Sequence, residues 1–310
     1  MHDLHVIINP SSRPTAILHI LNSVCHELGV AWEIEVTRGP GDGFRMAQAA
    51  RDRGVPVVAV YGGDGSVMEA ARGLMGGSTQ LAILPGGTAN AVAVELGIPV
   101  DGAQAIRLAC GEGAVSRPLD MGRVGDVYFV LRAGIGISAE QVRKADRAFK
   151  NRFGKMAYAL ALAEVLKTPA RAAYRVVLDG RPMEWEGAGC MIDNAGGFGV
   201  PGLTHDPAVD LSDGLLDVFF TRTLSQRSTL AILADAADVP VLTHNERHAA
   251  RRIEIEAEPP QAVQLDGEVW GETPVTVEVV PAAAHVIVPA DETLGHPQRR
   301  RGVSRTTPIV

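Results

Sequence analysis

Val57-Val58-Ala59-Val60-Tyr61-Gly62-Gly63-Asp64-Gly65-Ser66-Val67 is the stretch that decides the fold. Its first five residues contain no charged side chain and read as a short buried strand. The glycine-rich turn Gly62 to Ser66 breaks the strand, and Val67 to Leu74 carries a helix. The same unit recurs on both sides. Leu4 to Ile8 is an apolar strand ending at Asn9-Pro10, and Thr15 to Leu28 places Ile17, Leu18, Leu21, Val24 and Leu28 at helical spacing before Gly29. Trp32, Ile34 and Val36 alternate with Glu33 and Glu35 as a second strand, and Phe44 to Arg53 is a helix closed by Gly54. Leu81 to Leu84 is a further strand, followed by Pro85-Gly86-Gly87-Thr88 and a helix to Leu96. Repeated strand–helix alternation predicts a parallel sheet with helices on both faces and right-handed crossovers.

From about Arg117 the texture changes. Val127 to Leu131, Tyr174 to Leu178, Gly189 to Ile192, Leu215 to Phe220, Arg252 to Ile255, Ala262 to Leu265 and Thr276 to Val280 read as strands separated by Gly, Pro and Asp turns. They predict a second domain of antiparallel sheet, a β-sandwich. The boundary is placed near Gly122, giving units 1–122 and 123–290. The 310 residues allow two domains of ordinary size.

Composition narrows the function. With 46% apolar and 21% charged residues the chain is an ordinary globular one, which excludes wholesale disorder. The net charge of −7 argues against nucleic acid as a partner, because that needs a basic face. No apolar run reaches the ~20 residues of a spanning helix. The start MHDLHVIINP lacks a secretory pattern, and Cys25, Cys110 and Cys190 are too scattered for a zinc or disulfide framework. The expectation is a cytoplasmic protein.

Two glycine-rich turns each follow a strand and precede a helix, so both fall at the carboxyl edge of the sheet, where ligands bind. Glycines let backbone N–H groups approach an anion and permit positive φ, and the following helix N-terminus adds a positive dipole end. Polyphosphate is the natural guest. Asp64 among phosphates is tolerable if a Mg²⁺ lies between them, which points to a metal-nucleotide. A third segment, Leu265-Asp266-Gly267-Glu268, is by itself a hairpin signal.

Taken in order, Ile8-Asn9-Pro10, Gly62-Gly63-Asp64-Gly65-Ser66 with Glu69, Leu84-Pro85-Gly86-Gly87-Thr88-Ala89-Asn90, Asp213-Gly214-Leu215-Leu216-Asp217 and Asp266-Gly267-Glu268 resemble the diacylglycerol kinase catalytic-domain family, which includes bacterial lipid kinases and sphingosine kinases. The resemblance runs from about Leu4 to Pro289. It implies an N-terminal Rossmann-like, doubly wound parallel sheet and a C-terminal antiparallel β-sandwich domain. ATP would bind between them, the lipid hydroxyl would enter from the sandwich side, and the chain end, 291–310, would return to the first domain.

Carried over by position, the resemblance implies that ATP is contacted by Asn9, Thr37, Gly62, Gly63, Asp64, Gly65, Ser66, Gly86, Gly87, Thr88 and Asn90. Asp64 would help hold the catalytic Mg²⁺. Glu268 would accept the proton of the lipid hydroxyl, and Asp120 would support that base. A structural Mg²⁺ would use Asp213 with the backbone oxygens of Asp210 and Leu215. Three positions depart from the family pattern. Ala91 stands where members often carry Asp, Ser11-Ser12-Arg13 replaces the usual Ser-Gly and nearby Lys, and Ser66 replaces the commoner Thr. These departures keep a non-catalytic lipid- or nucleotide-binding protein as the alternative. An NAD kinase, whose family shares the Gly-Gly-Asp-Gly turn, is a poorer fit.

Other features read differently. Gly134-Ile135-Gly136-Ile137-Ser138-Ala139 has dinucleotide-fingerprint spacing but no acidic residue about 20 positions on. His244 and His248 would share a face if helical. Between Glu140 and Lys155 lie Arg143, Lys144, Arg147, Lys150, Arg152 and Lys155 against two acids. With Phe153, Met156 and Tyr158 this segment, 143–158, suggests peripheral docking at the anionic inner membrane face, with a solvated charged helix as the plainer reading. The sequence leaves the oligomeric state open, a homodimer included.

Overall fold

The computed structural model describes residues 4–12, 14–136, 171–200, 203–204, 206, 208–221 and 246–290. The first unit runs β1 (Leu4–Ile8), α1 (Pro14–Leu28), β2 (Trp32–Val36), α2 (Asp42–Asp52), β3 (Val57–Gly62), α3 (Asp64–Leu74), β4 (Gln80–Pro85), α4 (Ala91–Glu95) and α5 (Gly102–Ala109). β1 is buried at every position, and β3 and β4 nearly so. Strands covered on both faces need such unbroken apolar runs. Ile17, Leu21, Val24 and Cys25 form the buried stripe of α1. Gly29 and Gly54 adopt left-handed angles just past α1 and α2, where a side chain would be strained.

These strands pair in parallel in the order β2-β1-β3-β4. The chain therefore leaves β1 first to one side and then returns to the other. Between β1 and β3 lies the topological switch point, whose crevice at the carboxyl ends is the ligand site of open α/β sheets. Asn9 follows β1 and Gly63 follows β3, one on each side of that crevice.

The second unit continues with β5 (Ala114–Val124), β6 (Val127–Phe129), β7 (Arg132–Gly136), β8 (Ala172–Leu178), β9 (Arg181–Gly187), β10 (Gly189–Asp193), β11 (Gly197–Val200) and β12 (Leu203–Thr204). It closes with β13 (Leu216–Thr221), β14 (Glu246–Ala250), β15 (Arg252–Glu258), β16 (Ala262–Leu265), β17 (Glu268–Glu272) and β18 (Val275–Pro289). One antiparallel sheet has the order β14-β13-β10-β7-β16-β17. Its buried Ile135, Ile192, Val218, Phe220 and Val263 share a core with Tyr174, Val176, Trp185, Ile253 and Ile255 of β8, β9 and β15. This is the sandwich.

The two units share a layer. β18 pairs antiparallel with β15 at one end and parallel with β4 at His285 and Val286 at the other, so a single sheet runs through both. A register shift between Val280 and Ala284, with Ala282 at φ 46°, lets β18 make that passage. β5 runs unbroken through Gly122, where a Cβ would stand 1.9 Å from the Phe129 ring.

Some sequence expectations change, and others are borne out or lie outside the described residues. α3 begins at Asp64, not Val67, so Asp64, Gly65 and Ser66 are its first turn. Gly134 to Gly136 lie inside β7, hydrogen-bonded between β10 and β16, which removes any dinucleotide turn there. His248 sits in strand β14, so the helical pairing fails, and His244 lies outside the described residues. The basic segment 143–158 and the chain end 291–310 also lie outside them. Among the described residues no helix is long and apolar enough to cross a membrane.

Candidate active site

The two glycine turns lie against one another. Gly86 N–H donates to the carbonyl of Gly62 (2.9 Å), carrying the β3–β4 pairing past the strand ends. A Cβ on Gly87 would fall 2.6 Å from the Cα of Gly63, and one on Gly86 would meet the Tyr61 ring at 2.8 Å. A Cβ on Gly62 would meet Ser66 at 2.6 Å. None of Gly62, Gly63, Gly65, Gly86 or Gly87 has a left-handed φ. Of the two expected reasons for these glycines, positive φ is not used; close approach is, since Gly63 and Gly87 leave out side-chain volume where backbone meets backbone.

The rim is tied down by side chains. Asn9 donates through Nδ2 to Ser66 Oγ (3.0 Å) and accepts at Oδ1 from Ser11 N–H (3.0 Å). Thr37 caps the neighbouring strand end, donating its N–H and its hydroxyl to the Ile8 carbonyl. Asn90, at φ 51°, accepts from Gly87 N–H (2.8 Å) and returns a bond to the Gly87 carbonyl (2.9 Å), closing the second turn on itself. Gly65 and Thr88 are exposed on this surface. Asp64 accepts from Val92 N–H at Oδ1 (2.9 Å), which ties the first turn to α4. Its Oδ2 would face the expected cation. Among the described residues no three or more His, Cys, Asp or Glu side chains are grouped to hold a metal. A Mg²⁺ here would share its ligands with phosphates, as Mg²⁺ held by one carboxylate commonly does.

Glu69 has a role that the motif spacing does not reveal. Its carboxylate accepts from Gly41 N–H (2.8 Å) and Gly43 N–H (3.0 Å), fixing the loop between Thr37 and the start of α2.

The acidic hairpin divides its two carboxylates by task. Asp266 and Gly267 take left-handed angles of 45° and 85°, the tight turn expected of Asp-Gly between β16 and β17. The Asp266 carboxylate accepts three backbone N–H bonds, from Val130 (2.7 Å), Leu131 (2.9 Å) and Arg132 (2.9 Å). Burial pushes its pKa up, and those bonds pull against the rise. Asp266 is therefore the fastener of the hairpin. We expect Asp266→Ala to cost about 2–4 kcal/mol, since each buried N–H left without a partner costs ~1–3 kcal/mol; chemical denaturation of the two proteins measures it. Glu268, the first residue of β17, is exposed. Trp270, at 40% exposure, is the extra residue of a bulge, because the pairing jumps from Val263↔Gly271 to Gln264↔Val269.

The Asp120 carboxylate accepts from Ala282 N–H (2.7 Å) and Gly214 N–H (2.6 Å), which ties β5 to the 213–214 loop and the kink of β18. Burial raises the Asp120 pKa, the two N–H bonds oppose the rise, and nearby Asp213 and Asp210 add to it. In that loop Asp210 accepts from Ser212 N–H and hydroxyl, and Asp213 from Leu215 N–H (3.0 Å). The structural Mg²⁺ that the resemblance implies would sit on this loop, at Asp213 and the backbone oxygens of Asp210 and Leu215.

Comparison with known proteins agrees with this architecture. Residues 3–124 match the model of the diacylglycerol kinase catalytic domain, and residues 132–288 match that of the YegS C-terminal NAD kinase beta sandwich-like domain. A Synechocystis sp. protein described as uncharacterized is 29% identical over 83% of this chain, which spans 57% of that relative's length. A Staphylococcus aureus (strain bovine RF122 / ET3-1) protein provisionally named a lipid kinase is 27% identical over 87% of this chain and 90% of its own. A crystal structure from Bacillus anthracis str. Sterne, provisionally assigned as a diacylglycerol kinase, superposes with a TM-score of 0.73 at 27% identity, covering 93% of this chain and 95% of its own.

Proposed function

We propose that this chain, which belongs to the diacylglycerol kinase catalytic-domain family and carries that family's YegS-type C-terminal sandwich, is an ATP- and Mg²⁺-dependent lipid kinase that phosphorylates the hydroxyl of a diacylglycerol-like or long-chain-base lipid. The observation that supports this most is the backbone contact of Gly63 with Gly87. It merges two turns into one surface at the switch point, beside the N-terminus of α3, where a triphosphate is favoured.

Asn9, Thr37, Ser66, Thr88 and the glycines would hold the nucleotide, and Asp64 Oδ2 would hold the cation. Mg²⁺, when bound, neutralises phosphate charge and lowers the barrier to displacement. The lipid oxygen bonds to the γ-phosphorus as the bond from that phosphorus to the β–γ bridging oxygen breaks. ADP departs with that electron pair, and Glu268 takes the hydroxyl proton. The hydroxyl side chains and backbone donors do the positioning, which is most of what this reaction asks of a protein.

The test is transfer of label from γ-labelled ATP to extracted lipid, with NAD as a parallel acceptor. Labelled lipid is the expected product. Labelled NADP would replace the reading with an NAD kinase, and nucleotide binding without transfer to either acceptor would replace it with a binding protein.

A further inference from the structure

Glu95 ends α4 and is buried, with 9% of its surface exposed. A carboxylate rarely sits inside a protein unless its charge is met by donors. Here Oε1 accepts from Gly196 N–H (3.0 Å) and Oε2 from Gly197 N–H (2.8 Å). Those two amides belong to the second unit, about 100 residues away in the chain. We infer that Glu95 is a positioning residue that locks the nucleotide-side turns to the acceptor-side hairpin. The inference rests on the kinase reading for its catalytic consequence, but not for its geometry.

The hydrogen bonds form a continuous path. At its N-terminal end α4 is held by Asp64 through Val92 N–H. At its other end Glu95 grips Gly196 and Gly197. The same segment donates from Asn194 and Ala195 N–H to the Leu131 carbonyl, and Arg132 donates to the carbonyls of Ala195 and Gly197. Asn194 Nδ2 spans the carbonyls of Asp120 (2.8 Å) and Val130 (2.7 Å). Residues 130–132 are in turn those held by Asp266, two positions before Glu268. A small residue at 196 is required for the fit, since a Cβ there would stand 2.3 Å from the Asp206 carbonyl oxygen. Glu95 is the one side chain on this path that starts in the first unit and ends in the second. A short helix gripped at both ends transmits position, and misplacing reacting groups by about 1 Å costs about 10²-fold in rate.

The variants are Glu95→Gln, which keeps the volume but presents an amide N–H to one donor, and Glu95→Ala. For Glu95→Gln we expect lipid phosphorylation to fall about tenfold, with affinity for an ATP analogue within twofold of wild type. For Glu95→Ala the fall is about a hundredfold per folded molecule. Hydrogen–deuterium exchange should speed up over 194–197 and stay unchanged at Val92. A rate per folded Glu95→Ala molecule within twofold of wild type would reduce the contact to stability alone and overturn the inference. So would nucleotide affinity falling in step with rate. If Glu95→Ala does not fold, Glu95→Gln decides. If the wild-type protein phosphorylates no lipid, the kinase reading fails separately; the lock then stands or falls on whether exchange at 194–197 responds to Glu95→Gln.

Discussion

Glu268→Gln should abolish most lipid phosphorylation while leaving the protein folded and able to bind ATP. Removing a general base typically costs about 10²–10⁴-fold in rate. The substitution is isosteric and falls on an exposed position, where changes usually stay within about 0.5 kcal/mol of stability. The hairpin has fasteners of its own. Asp266 pins it to residues 130–132, and Gln264 Oε1 accepts from Gly267 N–H (2.6 Å). A fall in rate without a change in melting temperature or nucleotide affinity would therefore belong to the chemistry. Wild-type turnover in Glu268→Gln would remove Glu268 from the proton path. Asp266 could not replace it without giving up the bonds that hold the turn.

The division of labour in Asp266-Gly267-Glu268 also marks the limit of what the sequence could show. The tight turn was legible, because Asp-Gly between two apolar runs is a local signal. That Asp266 fastens a loop some 135 residues earlier is a consequence of sheet order, which no local pattern carries. Glu69 and Glu95 are alike in this respect. Each grips two backbone amides that only the folded topology brings near.

Strands show the same contrast. β1, β3 and β4 were readable because both their faces are buried. β9 and β14 were not read as strands. β9 buries only Trp185 and Gly187, and β14 is the edge of its sheet, with Arg247 and His248 in its middle. β18 was read only as far as Val280, since Pro281 and the left-handed Ala282 interrupt its pattern before it crosses to β4. The start of α3 was placed three residues late because Asp64, Gly65 and Ser66 look like breakers. In a first turn, where the N–H groups lack intrahelical partners in any case, such residues cost little.

The glycine surface gives the second large prediction, and two positions pull it in opposite directions. Gly87→Ala should cut ATP affinity at least a hundredfold and lower the melting temperature by several degrees. Its Cβ would meet the Gly63 Cα at 2.6 Å and the Asn90 Oδ1 at 3.0 Å, and backbone cannot give way as a flexible side chain does. The turns would have to part, so the shared surface would be lost along with the packing. Gly65→Ala should do the reverse to stability. Gly65 lies in the first turn of α3 at an ordinary φ, and a Cβ there meets nothing within 4 Å. Replacing a helical glycine by alanine at a compatible position stabilises by about 0.4–1 kcal/mol. That open space is where the proposed phosphates would lie, so Gly65→Ala should also weaken ATP binding. Raised melting temperature with lowered nucleotide affinity, read by thermal denaturation and calorimetric titration of the same sample, would separate ligand contact from folding. Unchanged affinity in Gly65→Ala would move the triphosphate away from the first turn, and unchanged affinity in Gly87→Ala would remove it from the paired turns altogether.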